Sequence, residues 1–179
     1  MDLDVSWSWR ADRLPPEVKA EVEKRLNELH QFFPEMKPKL KIGITRIYDG
    51  LAFQSNSGNV KLRLEVKKTR KNGWKYPTYW TIAHEFMHLA QFNSKGIPGG
   101  ERACDVYTLS RLPPRYIDDS PSYLVVPPEN RGTWSAEDAR LAHDLAKEAL
   151  IRRKKGLRNY AAWWEDEMEG RLEARKKKR

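Results

Sequence analysis

The stretch Thr81-Ile82-Ala83-His84-Glu85-Phe86-Met87-His88-Leu89-Ala90 decides how the rest of this chain is read. It contains the pattern H-E-x-x-H. On an α-helix, positions four apart lie one turn apart on nearly the same face, so both imidazoles can reach one ion. Zinc accepts such nitrogens at about 2.0–2.1 Å. Glu85 projects beside the two histidines without having to be a ligand, and it can take a proton from water that the ion acidifies. Ala83, Met87 and Ala90 form an apolar stripe, and Trp80 stands one turn before His84. Such a helix is buried, and buried imidazoles require partners.

Working outward, the helix is expected from about Thr78 to Asn93, with Gly96 as its C-cap. Catalytic zinc sites usually combine three protein ligands with one open position. His143, 55 residues beyond His88, is the only later histidine. Glu101 is 13 residues beyond it, after Gly96, Pro98, Gly99 and Gly100, enough for a reversal. Glu101 then falls at the start of a returning helix, where the dipole favours a carboxylate. Asp105 follows at i+4 on the same face and can accept the outer N–H of a ligating histidine. Cys104, between them, is a competing soft ligand or a buried free thiol.

Upstream, Val18, Val22, Leu26, Leu29 and Phe33 recur at spacings of three and four, which predicts an amphipathic helix between Pro15-Pro16 and Pro34. Leu40, Ile42 and Ile44 alternate with polar residues, as do Val60, Leu62, Leu64 and Val66, which predicts strands. Asp49-Gly50 reads as a hairpin turn, Leu51–Ser55 as a short strand, and 56–59 as a loop. The expected fold class is α+β: a small, mainly antiparallel sheet packed on the histidine helix. Val60–Lys67 is the expected edge strand, able to pair with an extended peptide, and its outward Lys61, Arg63 and Lys67 would favour acidic substrates. Lys67 to Pro77 reads as a basic, aromatic connection.

Downstream, a helix ends before Pro113-Pro114, and a proline-rich ordered loop runs over 113–134. Ser135-Ala136-Glu137-Asp138 has the form of a capping box. After Gly156, a last helix carries the core stripe Tyr160, Trp164, Met168 and Leu172, and the basic end is expected to fray. The expected division is a catalytic core over 1–112 and a helical extension over 113–179 packed on it.

At the residues His84-Glu85-x-x-His88 and Glu101-x-x-x-Asp105, the chain resembles the gluzincin branch of zinc metallopeptidases, to which thermolysin belongs. It is most like the minimal gluzincins of archaea and bacteria. The resemblance covers 78–111 by motif and 15–111 by architecture. It implies a zincin-like fold, zinc held by His84, His88 and Glu101, Glu85 as general base and acid, and Asp105 supporting a ligating histidine. The activity it implies is endopeptidase hydrolysis of peptide or protein substrates. SprT-like proteases, which act on DNA-bound proteins, also pair H-E-x-x-H with basic character; they usually take a third histidine. A zinc-stabilised nucleic-acid-binding module without catalysis is the non-enzymatic alternative.

Composition bounds the reading. The 179 residues carry a net charge of +9, which favours polyanionic partners. Basic clusters lie at 67–71, 152–155 and the C-terminus, the first preceding Trp74, Tyr76, Tyr79 and Trp80. That mixture also occurs in single-strand nucleic-acid grooves. Seven Trp, seven Tyr and five Phe exclude wholesale disorder. No membrane span or secretory signal is expected, and a lone cysteine suits a reducing, cytoplasmic setting. The Glu, Lys and Arg content resembles that of heat-adapted chains. Tyr107, Tyr116, Tyr123, His143 and nearby arginines are the candidate oxyanion donors.

Overall fold

The computed structural model describes residues 2–54, 59–71, 73–132 and 134–177. The chain divides into two compact units, 1–96 and 97–179. Gly96 ends the first unit, so Glu101 and Asp105 belong to the second.

The first unit begins with strand β1 (Asp4–Trp7), crosses over through helix α1 (Pro16–His30), and returns as β2 (Lys39–Thr45), parallel to β1. The alternation Val5, Trp7 against Asp4, Ser6 is the only sequence sign of β1. Two hydrogen bonds seat it on α1: Leu3 N–H donates to Asn27 Oδ1 (2.8 Å) and Trp7 Nε1–H to Glu23 Oε1 (2.6 Å). The stripe Val18, Val22, Leu26 and Leu29 is fully buried, as the periodicity predicts. Each such side chain removed from water contributes about 1.5–3 kcal/mol.

β3 (Gly50–Gln54) and β4 (Val60–Glu65) complete a four-stranded sheet in the order β1-β2-β4-β3. The sheet is mixed. β1–β2 and β2–β4 are parallel, and only β3–β4 is antiparallel. This corrects the expectation of a mainly antiparallel sheet, because period-two alternation marks a buried face but carries no strand direction. It also corrects the expected edge: β4 lies inside the sheet, and β3 is its outer strand. Asp49-Gly50 therefore leads β2 outward to the edge and does not close a β2–β3 hairpin. The loop expected over 56–59 lies, except for Asn59, outside the described residues.

The basic stretch after β4 is not a plain connection. It forms a two-stranded ribbon, β5 (Lys67–Thr69) with β6 (Gly73–Lys75), turning at Gly73 with φ +72°. Glu65 accepts from Lys67 (2.6 Å) and Lys75 (2.7 Å), and these cations hold its carboxyl below the ordinary value. Helix α2 (Tyr79–Asn93) carries the H-E-x-x-H pattern. Thr78 caps it, its Oγ1 accepting from Thr81 N–H at 3.0 Å. Gly96 is not the C-cap: the helix ends at Ser94 in extended backbone, and Asn93 Nδ2 donates back to the Leu89 carbonyl (2.9 Å).

The second unit contains helices α3 (Glu101–Arg111), α4 (Ala136–Lys154) and α5 (Tyr160–Lys176). Gly100 stands before α3 with φ +96°, a conformation that a side chain would strain. Ser135 and Asp138 form the expected capping box of α4. α4 ends in a left-handed Gly156 (φ +105°), with Leu157 N–H returning to the Arg152 carbonyl (3.0 Å). The predicted stripe Tyr160, Trp164, Met168 and Leu172 is buried, and Trp164 Nε1–H donates to the Ala142 carbonyl (3.1 Å). Of the basic end expected to fray, Lys178 and Arg179 lie outside the described residues. Among the described residues, no helix is long and apolar enough to cross a membrane.

Candidate metal centre

α2 packs on α1 and on β3, with Phe86 edge-on to Phe33 at 5.6 Å. Ile82, Ala83, Phe86 and Leu89 are fully buried on the core side. That packing orients the helix and turns His84, Glu85 and His88 to a common side. The Nε2 atoms of His84 and His88 lie 3.1 Å apart, and their rings meet edge to face at 4.8 Å. Two nitrogens bound tetrahedrally to one zinc at normal lengths are about 3.3 Å apart. The donor pair therefore fits a single zinc ion in type and spacing.

Gln91, one turn beyond His88, is a residue that sequence reasoning missed. Its Oε1 lies 2.9 Å from His88 Nδ1. With the proton on Nδ1 donated to that oxygen, Nε2 presents its lone pair to an ion. The i+3 spacing from His88 was the available signal. On the other flank, the Trp80 ring stands 6.3 Å from that of His84.

Glu85 is 7% exposed, and its position is set by the edge strand. A Cβ added at Gly50 would lie 2.7 Å from Glu85 Cγ, 2.9 Å from Glu85 Oε1 and 3.0 Å from Thr81 Cγ2. Only glycine permits this approach. Gln54, on the same side of β3, donates to Asn93 Oδ1 at 3.4 Å. β3 thus runs along α2 from Glu85 to the helix end. Among the described residues, no strand pairs with its outer edge.

The remaining predicted residues lie in the second unit. Glu101 is exposed in the first turn of α3. Cys104 and Asp105 are both fully buried. Asp105 Oδ2 accepts from the backbone N–H of Tyr123 (2.8 Å) and Leu124 (3.1 Å), pinning the proline-rich loop to α3. His143 Nδ1 lies 2.8 Å from the Leu109 carbonyl, a structural contact. The Tyr107 hydroxyl accepts from Arg153 (3.0 Å), and burial pushes its pKa up. Tyr116 stacks beneath Arg115, and Tyr123 is half exposed.

Comparison with protein-family models, curated proteins and solved structures finds no match to this chain.

Proposed function

We propose that this chain is a zinc-dependent endopeptidase of the zincin type, and specifically of the gluzincin branch. The observation that carries the reading is the pair of Nε2 atoms 3.1 Å apart on one helix, with the buried carboxylate of Glu85 on the same helix and, alongside, a strand edge with which no described strand pairs. Zinc held by His84 and His88 would act as a Lewis acid, polarising a scissile carbonyl and acidifying water.

The chain's own groups do the rest. Gln91 holds the His88 tautomer. β3 offers backbone N–H and C=O groups to an extended peptide, aligning it by strand addition. Glu85 accepts a proton from the attacking water as its oxygen bonds to the carbonyl carbon. It then delivers that proton to the amine nitrogen as the C–N bond breaks. Gly50 keeps β3 close enough to hold Glu85 in one place. With β4 inside the sheet, Lys61 and Arg63 have no place beside this edge, so the acidic-substrate preference drawn from them loses its basis here. Glu101 is the proposed third ligand, with Asp105 in support of a histidine; Cys104 is the competing soft donor.

Metal analysis combined with hydrolysis of a denatured protein substrate tests this reading. Glu85→Gln should retain zinc and lose at least 10²–10⁴-fold in rate. Glu101→Ala should weaken zinc binding, and Cys104→Ser should leave it unchanged. In the cobalt-substituted protein, a thiolate charge-transfer band would assign the third position to Cys104 instead. Undiminished hydrolysis by Glu85→Gln would refute the mechanism. Zinc bound without any hydrolysis by the wild type would favour a metal-stabilised binding module.

A further inference from the structure

The four-stranded sheet has two faces of opposite character. Leu40, Ile42, Val60, Leu62 and Leu64 are buried on one. The strand registers place Lys39, Lys41, Lys61 and Arg63 together on the other, with Lys41 opposite Lys61 and Arg63 opposite Leu51. All four cations are exposed. A hollow of about 670 Å³ on this face is lined by Lys37, Lys39, Lys41 and Lys61, with Asp4 the one carboxylate among the described residues that line it. A second hollow, of about 530 Å³, continues past the end of β2 and is lined by Arg10, Arg13, Arg46 and Arg63, with no carboxylate among the described residues that line it.

Aromatic rings punctuate this track. Trp9, 65% exposed, stands in the second hollow with the guanidinium groups of Arg10 and Arg13 each 5.1 Å from its ring. Phe53, 40% exposed and paired in register with Lys61, carries Arg63 at 5.3 Å. Gly43, opposite Arg63, leaves that side chain room to lie across the sheet: a Cβ there would come within 3.3 Å of Arg63 Cγ.

We propose that this open sheet face binds single-stranded nucleic acid, the cations tracking the phosphates and Phe53 and Trp9 stacking on unpaired bases. Charge complementarity selects a polyanion. The exposed rings select unpaired bases over an acidic protein, because stacking on a π-face is available to any base. A duplex hides those faces. This face is formed by the odd-numbered residues of β2–β4, while β3 meets Glu85 through Gly50. The proposal stands independently of the hydrolytic reading.

The test is fluorescence anisotropy of the full chain with a labelled oligothymidylate of about twenty nucleotides, longer than the ~4–16 that one such surface covers. An oligouridylate, a blunt duplex of equal length and polyglutamate serve as competitors. Binding should weaken steeply with salt, by about 0.7 in the logarithmic slope per phosphate neutralised. The triple variant Lys39→Glu, Lys41→Glu, Lys61→Glu should lose at least tenfold in affinity and flatten that slope. Trp9→Ala and Phe53→Ala should each lose about tenfold with the slope unchanged. Lys154→Glu, Lys155→Glu is the control for net charge and should bind within about threefold of wild type. Far-ultraviolet circular dichroism verifies that each variant folds. Equal loss in the control, equal binding of duplex or polyglutamate, or wild-type binding by the triple variant would overturn the proposal. Preference between the deoxy and ribo oligomers identifies which single strand is recognised.

Discussion

At Gly50 a missing side chain does as much as any functional group nearby. The strand edge approaches α2 so closely that one methyl group would meet the Glu85 side chain at 2.7 Å. Gly50→Ala must therefore push Glu85 aside or lift β3. Displacing a reacting group by about 1 Å can cost ~10²-fold in rate. With Glu85 as the proposed general base, the expected outcome is a comparable fall in kcat with zinc content unchanged. Steady-state kinetics with metal analysis checks it, and an unaltered kcat would show that Glu85 is not held by this contact. His88 and Gln91 illustrate the same scale. One amide oxygen lies 2.9 Å from Nδ1, where it accepts a hydrogen bond in the tautomer that leaves Nε2 free for an ion, and the spacing of three residues that brings it there is visible in the sequence. The Gly50 contact is not, since residues 35 positions apart meet only through sheet packing.

Among the elements, α1 and α2 are joined by a small polar cluster. Tyr79 donates to Glu28 Oε2 at 2.7 Å, and Arg25 donates to the Pro77 carbonyl (2.9 Å) while lying 5.1 Å from the Tyr79 ring. Burial, and then the Glu28 hydrogen bond, push the Tyr79 pKa from 10.0 up to about 12. Between those values the unfolded chain has lost a proton that the folded chain still binds. This contribution to stability is complete below pH 10 and is lost as pH rises towards about 12. Urea unfolding across that range should show the decline in wild type and a smaller one in Tyr79→Phe. An identical decline would place the alkaline sensitivity elsewhere. In the second unit, Ser135 Oγ accepts from Asp138 N–H (3.1 Å), and Asp138 Oδ2 accepts from Ser135 N–H (3.0 Å). Ser135→Ala should cost about 1 kcal/mol by opening this box, measured as a shift in the urea midpoint.

For the whole molecule, the proposed metal would be a ligand of the folded state alone. Zinc at about a hundred times its Kd adds ~2.7 kcal/mol, which for a chain of this size raises Tm by roughly 5–10 °C. Calorimetry with and without a chelator should show that shift. His84→Ala should abolish it, and a persistent shift would move the ion away from α2. Much of the architecture behind these expectations was legible beforehand. The helices α1 and α2, the box at Ser135 and the stripe of α5 follow from periodicity and capping chemistry, which depend on residues within a few positions of each other. The edge strand, β1 and the β5–β6 ribbon were misread or missed. Short segments have too few alternations to register, and alternation is the same for a central strand and an outer one.

The amino-acid order by itself determined that His84, Glu85 and His88 lie on one side of a single helix, because a 3.6-residue turn leaves them nowhere else to go. It also determined which side of each long strand is apolar. Only the tertiary structure decided that β2 and β4 run parallel, that β3 is outermost and pressed by Gly50 onto Glu85, and that separate lysines and arginines form one basic sheet face. Those are choices among strand partners. Every strand offers the same backbone N–H and C=O groups to any partner, so the choice falls to long-range packing, which no local pattern records.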